Sequence, residues 1–150
     1  MKGLRLIVAV IGVLLLALPF AAAAEEVAIV VNPKNPVGDI DAARIRSAYL
    51  KEQANWPNGD LVRSVDVRAN TPERKAFLEK VLKMSAAELE QYWITTRYVK
   101  GVPVPPKLAS DQEVIEYVIA FEGAIGFVNA KSIDSAKRSQ IRIVYTIPVP

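Results

Sequence analysis

The side chains able to do chemistry here are of few kinds. The sequence contains no cysteine and no histidine. Cysteine nucleophiles, Cys/His zinc sites and Ser-His-Asp triads are therefore excluded within it. Carboxylates stand at Asp39, Asp41, Asp66, Glu73, Glu88, Asp111 and Glu113. Helix capping or first-turn charge accounts for Asp41, Glu88 and Glu113. No pair has a spacing that argues for acid/base work, so neither an enzyme nor a cofactor is expected. What remains is anion chemistry. Arg68, Asn70, Thr71 and Arg74 cluster in one short stretch. Thr71 stands where an N-cap belongs, and Pro72 follows at the first helical position, whose N–H would be unpaired anyway. A helix start presents free N–H groups and a partial positive charge, to which the two arginines add full charges. A capped loop that binds nothing fits the same residues, so both readings stand.

The elements that must position these residues follow from the pattern around them. Leu61, Val62, Val65 and Val67 read as a largely buried strand leading into the loop. Phe77, Leu78, Val81 and Leu82 give the following helix one apolar face. Upstream, the run VAIVV at 27–31 reads as a central strand buried on both faces. Asn32-Pro33-Lys34-Asn35-Pro36 ends it, because two prolines cannot continue a central strand. Asp41 caps a helix through about Leu50, with Ile45, Ala48 and Tyr49 inward. Asn55-Trp56-Pro57-Asn58-Gly59 is a turn, and Trp56 should pack it onto the core. Ser85 to Glu88 forms a capping box before a helix with Leu89, Tyr92, Trp93 and Thr96 on one face. The proline-rich stretch 100–106 cannot be helix. Ser110 and Glu113 make a second capping box, with Val114, Ile115, Val118 and Ile119 inward. Gly123 opens a turn into a strand, and 141–145 alternates as a last strand.

Strands interspersed with helices predict a three-layer α/β domain, a mixed sheet flanked by helices. In such sheets ligands bind at the carboxyl ends of strands, beside helix starts. That rule places the Asn32 loop, the 68–74 loop and the Gly123–Gly126 turn near one edge, with Asn32 and Gly126 lining its floor.

The totals set the compartment. Lys2 and Arg5 precede an apolar run from Leu6 to Phe20, and Ala22-Ala23-Ala24 has the form of a cleavage site. Residues 1–24 read as an export signal cut before Glu25, and an uncut anchor is the alternative. Removing 24 of 150 residues leaves 126, enough for one domain at 25–150 with its own core. The cut lowers the formal charge from +3 to +1, since Lys2 and Arg5 go with it. No basic cluster marks a nucleic-acid surface. The expected location is periplasmic or secreted, without membrane insertion after cleavage.

Several segments resemble a known family. Val30-Val31-Asn32-Pro33 with Asn35-Pro36-Val37 looks like the opening of the second lobe of phosphate-type periplasmic solute-binding proteins. The helix from Ala42 followed by Asn55-Trp56-Pro57-Asn58-Gly59, and the segment Gly123-Ala124-Ile125-Gly126-Phe127-Val128, are similar to further segments of that family. Tyr92-Trp93 with Gly101 and Pro105-Pro106 looks like its small single-lobe branch. The resemblance implies one lobe of a type II periplasmic binding protein. It also implies recognition of phosphate or a related oxyanion, linked to phosphate ABC transport or sensing. The family's Arg-x-Asp-x-Ser-Gly-Thr segment falls on 67–73: its Ser on Thr71, its Gly-Thr on Pro72-Glu73, its Arg and Asp on Val67 and Ala69.

The expected contacts to an oxyanion are thus Asn32, Arg68, Asn70, Thr71, Arg74 and Gly126. A single lobe leaves an anion open to water, where charge contacts are screened. A protein partner or a homodimer mate would have to supply the missing lobe. The alternative is a periplasmic protein-interaction module that kept the fold and lost the ligand.

Overall fold

The computed structural model describes residues 25–150; the expected export signal lies outside them. The apolar run becomes strand β1 (Glu26–Val31), in which Val27 to Val31 are all 0 % exposed. It is flanked on both sides, antiparallel to β5 (Ala124–Asn129) and to β6 (Arg142–Pro148). Strand β2 (Arg63–Ser64) adds to the far side of β5 in parallel, so the mixed sheet runs β2-β5-β1-β6.

The expected continuous strand over 61–67 is divided. Val65 N–H still donates to Ile125 on β5, but Asp66 N–H donates to Pro106 and Arg68 N–H to Leu108. The chain leaves one neighbour for another at Val65. Strand β3 (Asp66–Val67) therefore pairs in parallel with β4 (Lys107–Leu108) as a separate ribbon. The end of the proline-rich loop supplies that second strand, which its composition did not suggest.

Helices cover both faces. Helix α1 (Ala42–Tyr49) is capped by Asp41, which accepts from Arg44 N–H at 2.8 Å. Helix α2 (Pro72–Phe77) continues through a π turn, Leu78–Leu82, and stops at Lys83 in the left-handed region (φ 57°). The π turn keeps Phe77, Leu78, Val81 and Leu82 all buried, as the spacing predicts. Helix α3 (Ala86–Lys100) begins with the reciprocal Ser85–Glu88 box. Helix α4 (Asp111–Ala120) is capped by Ser110, but the Glu113 carboxylate accepts from Ala109 N–H, not Ser110, so the second box is only half formed.

Gly126 and Phe127 alternate across β5 and show the layering. A Cβ on Gly126 would meet Val114 of α4 at 2.5 Å. Phe127 instead stacks on Phe77 of α2, centroids 4.2 Å apart, and Phe77 tilts against Tyr49 of α1. Thus α4 lies on one face and α1 with α2 on the other, the three-layer arrangement expected. Trp56 is buried and donates to Gly123 O at 2.9 Å, tying its turn to the start of β5. In β6 the strict alternation fails. A bulge opposite Ile29/Val30 shifts the register, and burial falls on Val144 and Ile147. Among the described residues no helix is long and apolar enough to cross a membrane.

Candidate functional site

The starts of α2 and α4 face one another across the end of β5. Val67, Ala69, Thr71 and Glu73 line one wall, Ala109, Ser110 and Asp111 the other, and Asn129 with Ser132 close the end of an open cleft of about 300 Å³. Each helix start carries a hydroxyl cap: Thr71 accepts from Arg74 N–H and Ser110 from Glu113 N–H, both at 3.2 Å. Two capped helix starts at the end of one strand form the position where an α/β sheet is suited to hold an anion.

The chain places its own acids there. Asn129 donates through its side-chain amide to Glu73 at 2.7 Å and through its backbone N–H to Asp111 at 2.9 Å. Ser132 donates its hydroxyl to the same Asp111 oxygen at 2.6 Å. Partial burial pushes the Glu73 carboxyl up, but hydrogen bonds from its own backbone N–H, Asn129 and Thr71 outweigh it and hold the group below its usual value. Among the described residues lining the cleft there are two carboxylates and no lysine or arginine. The cleft is therefore net negative, and its carboxylates already take the donors of Asn129 and Ser132.

The six expected ligand residues are not brought together. Thr71 lies in the cleft. Asn70 is outside it and faces a second surface hollow, which Thr71 also lines together with Lys75, Glu79 and Val149. Arg68 is exposed, and its Nε donates to Lys107 O at 3.2 Å, bracing β3 on β4. Arg74 turns inward. Its guanidinium holds Asp66 with two parallel hydrogen bonds of 2.9 and 2.8 Å, and the residue is buried. That carboxylate, by hydrogen bond and charge, holds the guanidinium above its usual pKa. An arginine engaged in this way has no fork to offer an anion.

Asn32 and Gly126 belong elsewhere. The Asn32 side-chain amide donates to Val118 O and Ile119 O, each at 3.0 Å, at the carboxyl end of α4. That end is roughly 15 Å from Ser110 along the helix. The reason is strand direction: β1 runs antiparallel to β5, so Val31 sits opposite Ile125 and Val27 opposite Asn129. The carboxyl end of β1 is therefore at the other edge of the sheet from the cleft. Gly126 lies mid-strand under Val114, Val65 and Val118, where it serves close packing. Sequence reasoning passed over Asn129 and Ser132, whose only local signal was the end of the β5 run.

Against solved structures, the fold is that of a lobe of phosphate-type substrate-binding proteins. The chain superimposes on an ABC-type phosphate transport receptor from Vibrio cholerae with TM-score 0.62 and 18% identity, covering 83% of this chain and 54% of that one. A phosphate ABC transporter substrate-binding protein from Clostridium perfringens, solved with bound phosphate, gives TM-score 0.58 and 18% identity, covering 80% and 44%. PstS from Borrelia burgdorferi gives 0.50 and 14%, covering 83% and 57%. The chain thus spans about half the length of these proteins. No family model and no curated protein matches the chain.

Proposed function

We propose that the chain is an exported single-lobe domain with the phosphate-binding-protein fold, residues 1–24 being its signal. In this reading it acts through protein contact in the cell envelope and not by capturing free phosphate. The observation behind this reading is the cleft, where Glu73 and Asp111 already accept the donors that an anion would need. At about 4 Å and an effective dielectric of 20, each carboxylate would repel a singly charged anion by about 4 kcal/mol. Two hydroxyl caps cannot offset that.

A second reading, recognition of phosphate or a related oxyanion with a partner completing the site, is favoured by the two helix starts in one cleft and by the likeness in fold. Calorimetric titration of the purified protein with phosphate at low ionic strength separates the two. A flat titration is expected, and saturable binding would overturn the first reading. Under the first reading, the Glu73→Gln, Asp111→Asn double variant removes the repulsion and gains measurable phosphate binding.

A further inference from the structure

The turn that carries Trp56 is built of residues that can react with one another. Gly59 N–H donates to Trp56 O at 2.9 Å, and Trp56 N–H donates to Asp60 O at 2.8 Å. These bonds close a tight bend between Asn55 and Leu61, which bridge antiparallel. Pro57 and Asn58 are its two central residues. The chain then turns back at φ 91°, a conformation that calls for glycine at position 59. Asn58 and Gly59 are both exposed, and a Cβ on Gly59 would meet nothing within 4 Å. Asn58 Oδ1 accepts from Asp60 N–H at 3.0 Å, and its Nδ2 donates to Asp60 Oδ2 at 2.7 Å.

A backbone nitrogen can add to the side-chain carbonyl of a preceding asparagine. Hydroxide takes the Gly59 amide proton, and a bond forms from Gly59 N to Asn58 Cγ. The Cγ–Nδ2 bond then breaks, and the nitrogen leaves as ammonia after taking a proton from water. The product is a five-membered cyclic imide. Water opens it at either carbonyl, giving aspartate or iso-aspartate. A side chain on the following residue hinders the attack, and proline there has no N–H to lose. Of the six asparagines, Asn32 and Asn35 precede proline, and Asn55, Asn70 and Asn129 precede tryptophan, threonine and alanine. Asn58 precedes glycine, which the bend itself demands. Asp60 N–H already faces the oxygen on which charge develops as Gly59 N adds. The Gly59–Trp56 hydrogen bond holds the nucleophile back, so the reaction waits on local opening of the turn.

We propose that Asn58 is a self-modification site, converted to aspartate and iso-aspartate, and that the conversion loosens the Trp56 turn. A carboxylate then stands where an amide donated to Asp60, so like charges replace a hydrogen bond. The iso-aspartate form also lengthens the main chain of the bend by one carbon. Trp56 is buried and holds the bend to the start of β5 through Gly123 O, so the loosening reaches the sheet. No residue lining the cleft takes part, and the site stands whatever the cleft binds.

Storage in mildly alkaline buffer of protein purified after expression of the full chain, followed by tryptic mass spectrometry, tests this. Lys51 and Arg63 bound one tryptic peptide, 52–63, which holds both Asn55 and Asn58. The mass gain of an amide-to-acid conversion is expected at Asn58, as two products separable by chromatography, with Asn55 unchanged. The gain should be faster in urea, where the turn is open, and absent over the same period in Asn58→Gln. Asn58→Asp, made directly, should lower the midpoint of urea unfolding at neutral pH. Adding Asp60→Asn should restore most of that loss, because a donor again faces an acceptor. An Asn58 that stays unmodified in the folded protein, an equal gain at Asn55, or a rate indifferent to urea would overturn the proposed site. An Asn58→Asp protein as stable as the unaltered one, or one that Asp60→Asn does not rescue, would overturn the loosening of the turn.

Discussion

Arg74 is the residue on which an anion-binding role and a structural role part most sharply. Both side chains of the Asp66–Arg74 pair are at most 10 % exposed, and the two hydrogen bonds between them are parallel and short. Asp66 Oδ1 also accepts from Val67 N–H at 2.7 Å, which fixes the carboxylate to the β3 backbone. Replacing Arg74 by Met removes the cation and leaves that carboxylate buried and unpaired. Breaking a buried pair in this way costs about 3–5 kcal/mol. A domain of this size has a total stability of roughly 5–15 kcal/mol. At about 3–6 °C per kcal/mol, the melting temperature should fall by on the order of 10–25 °C. Removing both charges with Asp66→Leu, Arg74→Met should recover most of the loss, because no unpaired charge remains. Thermal and urea unfolding of the three proteins measure this. The reasoning would be refuted by an Arg74→Met protein within 1 kcal/mol of the unaltered one, above all if a phosphate-induced rise in melting temperature vanished with it. That pair of results would show a guanidinium free for an anion.

Because the Glu73 carboxyl is held below its usual value of 4.5, it is the ionised form that stabilises the fold; this contribution is present at neutral pH and fades as pH falls from 4.5 through the lowered value. Glu73→Gln should therefore flatten the acid limb of a stability-against-pH curve and leave its alkaline side unmoved. Gly126→Ala would bring a methyl within 2.5 Å of Val114 and 3.2 Å of Val65, and should destabilise by about 1–3 kcal/mol in urea unfolding. A loss confined to ligand behaviour, with stability intact, would instead place Gly126 at a binding surface.

The agreement and the errors have identifiable causes. The caps at Asp41, Thr71, Ser85 and Ser110 were legible because a cap is a contact between residues three apart, and each forms in the structure. The buried strand at 27–31 and the inward positions of α2 and α4 were legible because periodicity reports burial directly. Where the reading went wrong, a distant partner decided. Glu113 found Ala109 and not Ser110. Asn32 looked like a loop residue at a strand's carboxyl end, but that edge is filled by the end of α4. Arg68 and Arg74 are close in sequence and carry the same charge, yet one braces an exposed ribbon and the other is sealed on Asp66.

The sequence by itself determined the helices and where most of them begin, and the buried central strand, but not the division of 61–67 or the short strand at Lys107–Leu108. It also excluded thiol, imidazole and triad chemistry and suggested a three-layer α/β domain. All of these depend on residue type or on spacing within one turn or one strand. The tertiary structure alone decided that β1 runs antiparallel to β5, which separates Asn32 from the cleft. It also turned Arg74 inward and brought Asn129 and Ser132 onto Glu73 and Asp111. Strand direction and long-range hydrogen bonds are settled by how whole elements pack, and no local pattern encodes them. That is why the capped helix starts could be read from the chain, while the hydrogen bonds that bring Asn129 and Ser132 onto Glu73 and Asp111 could not.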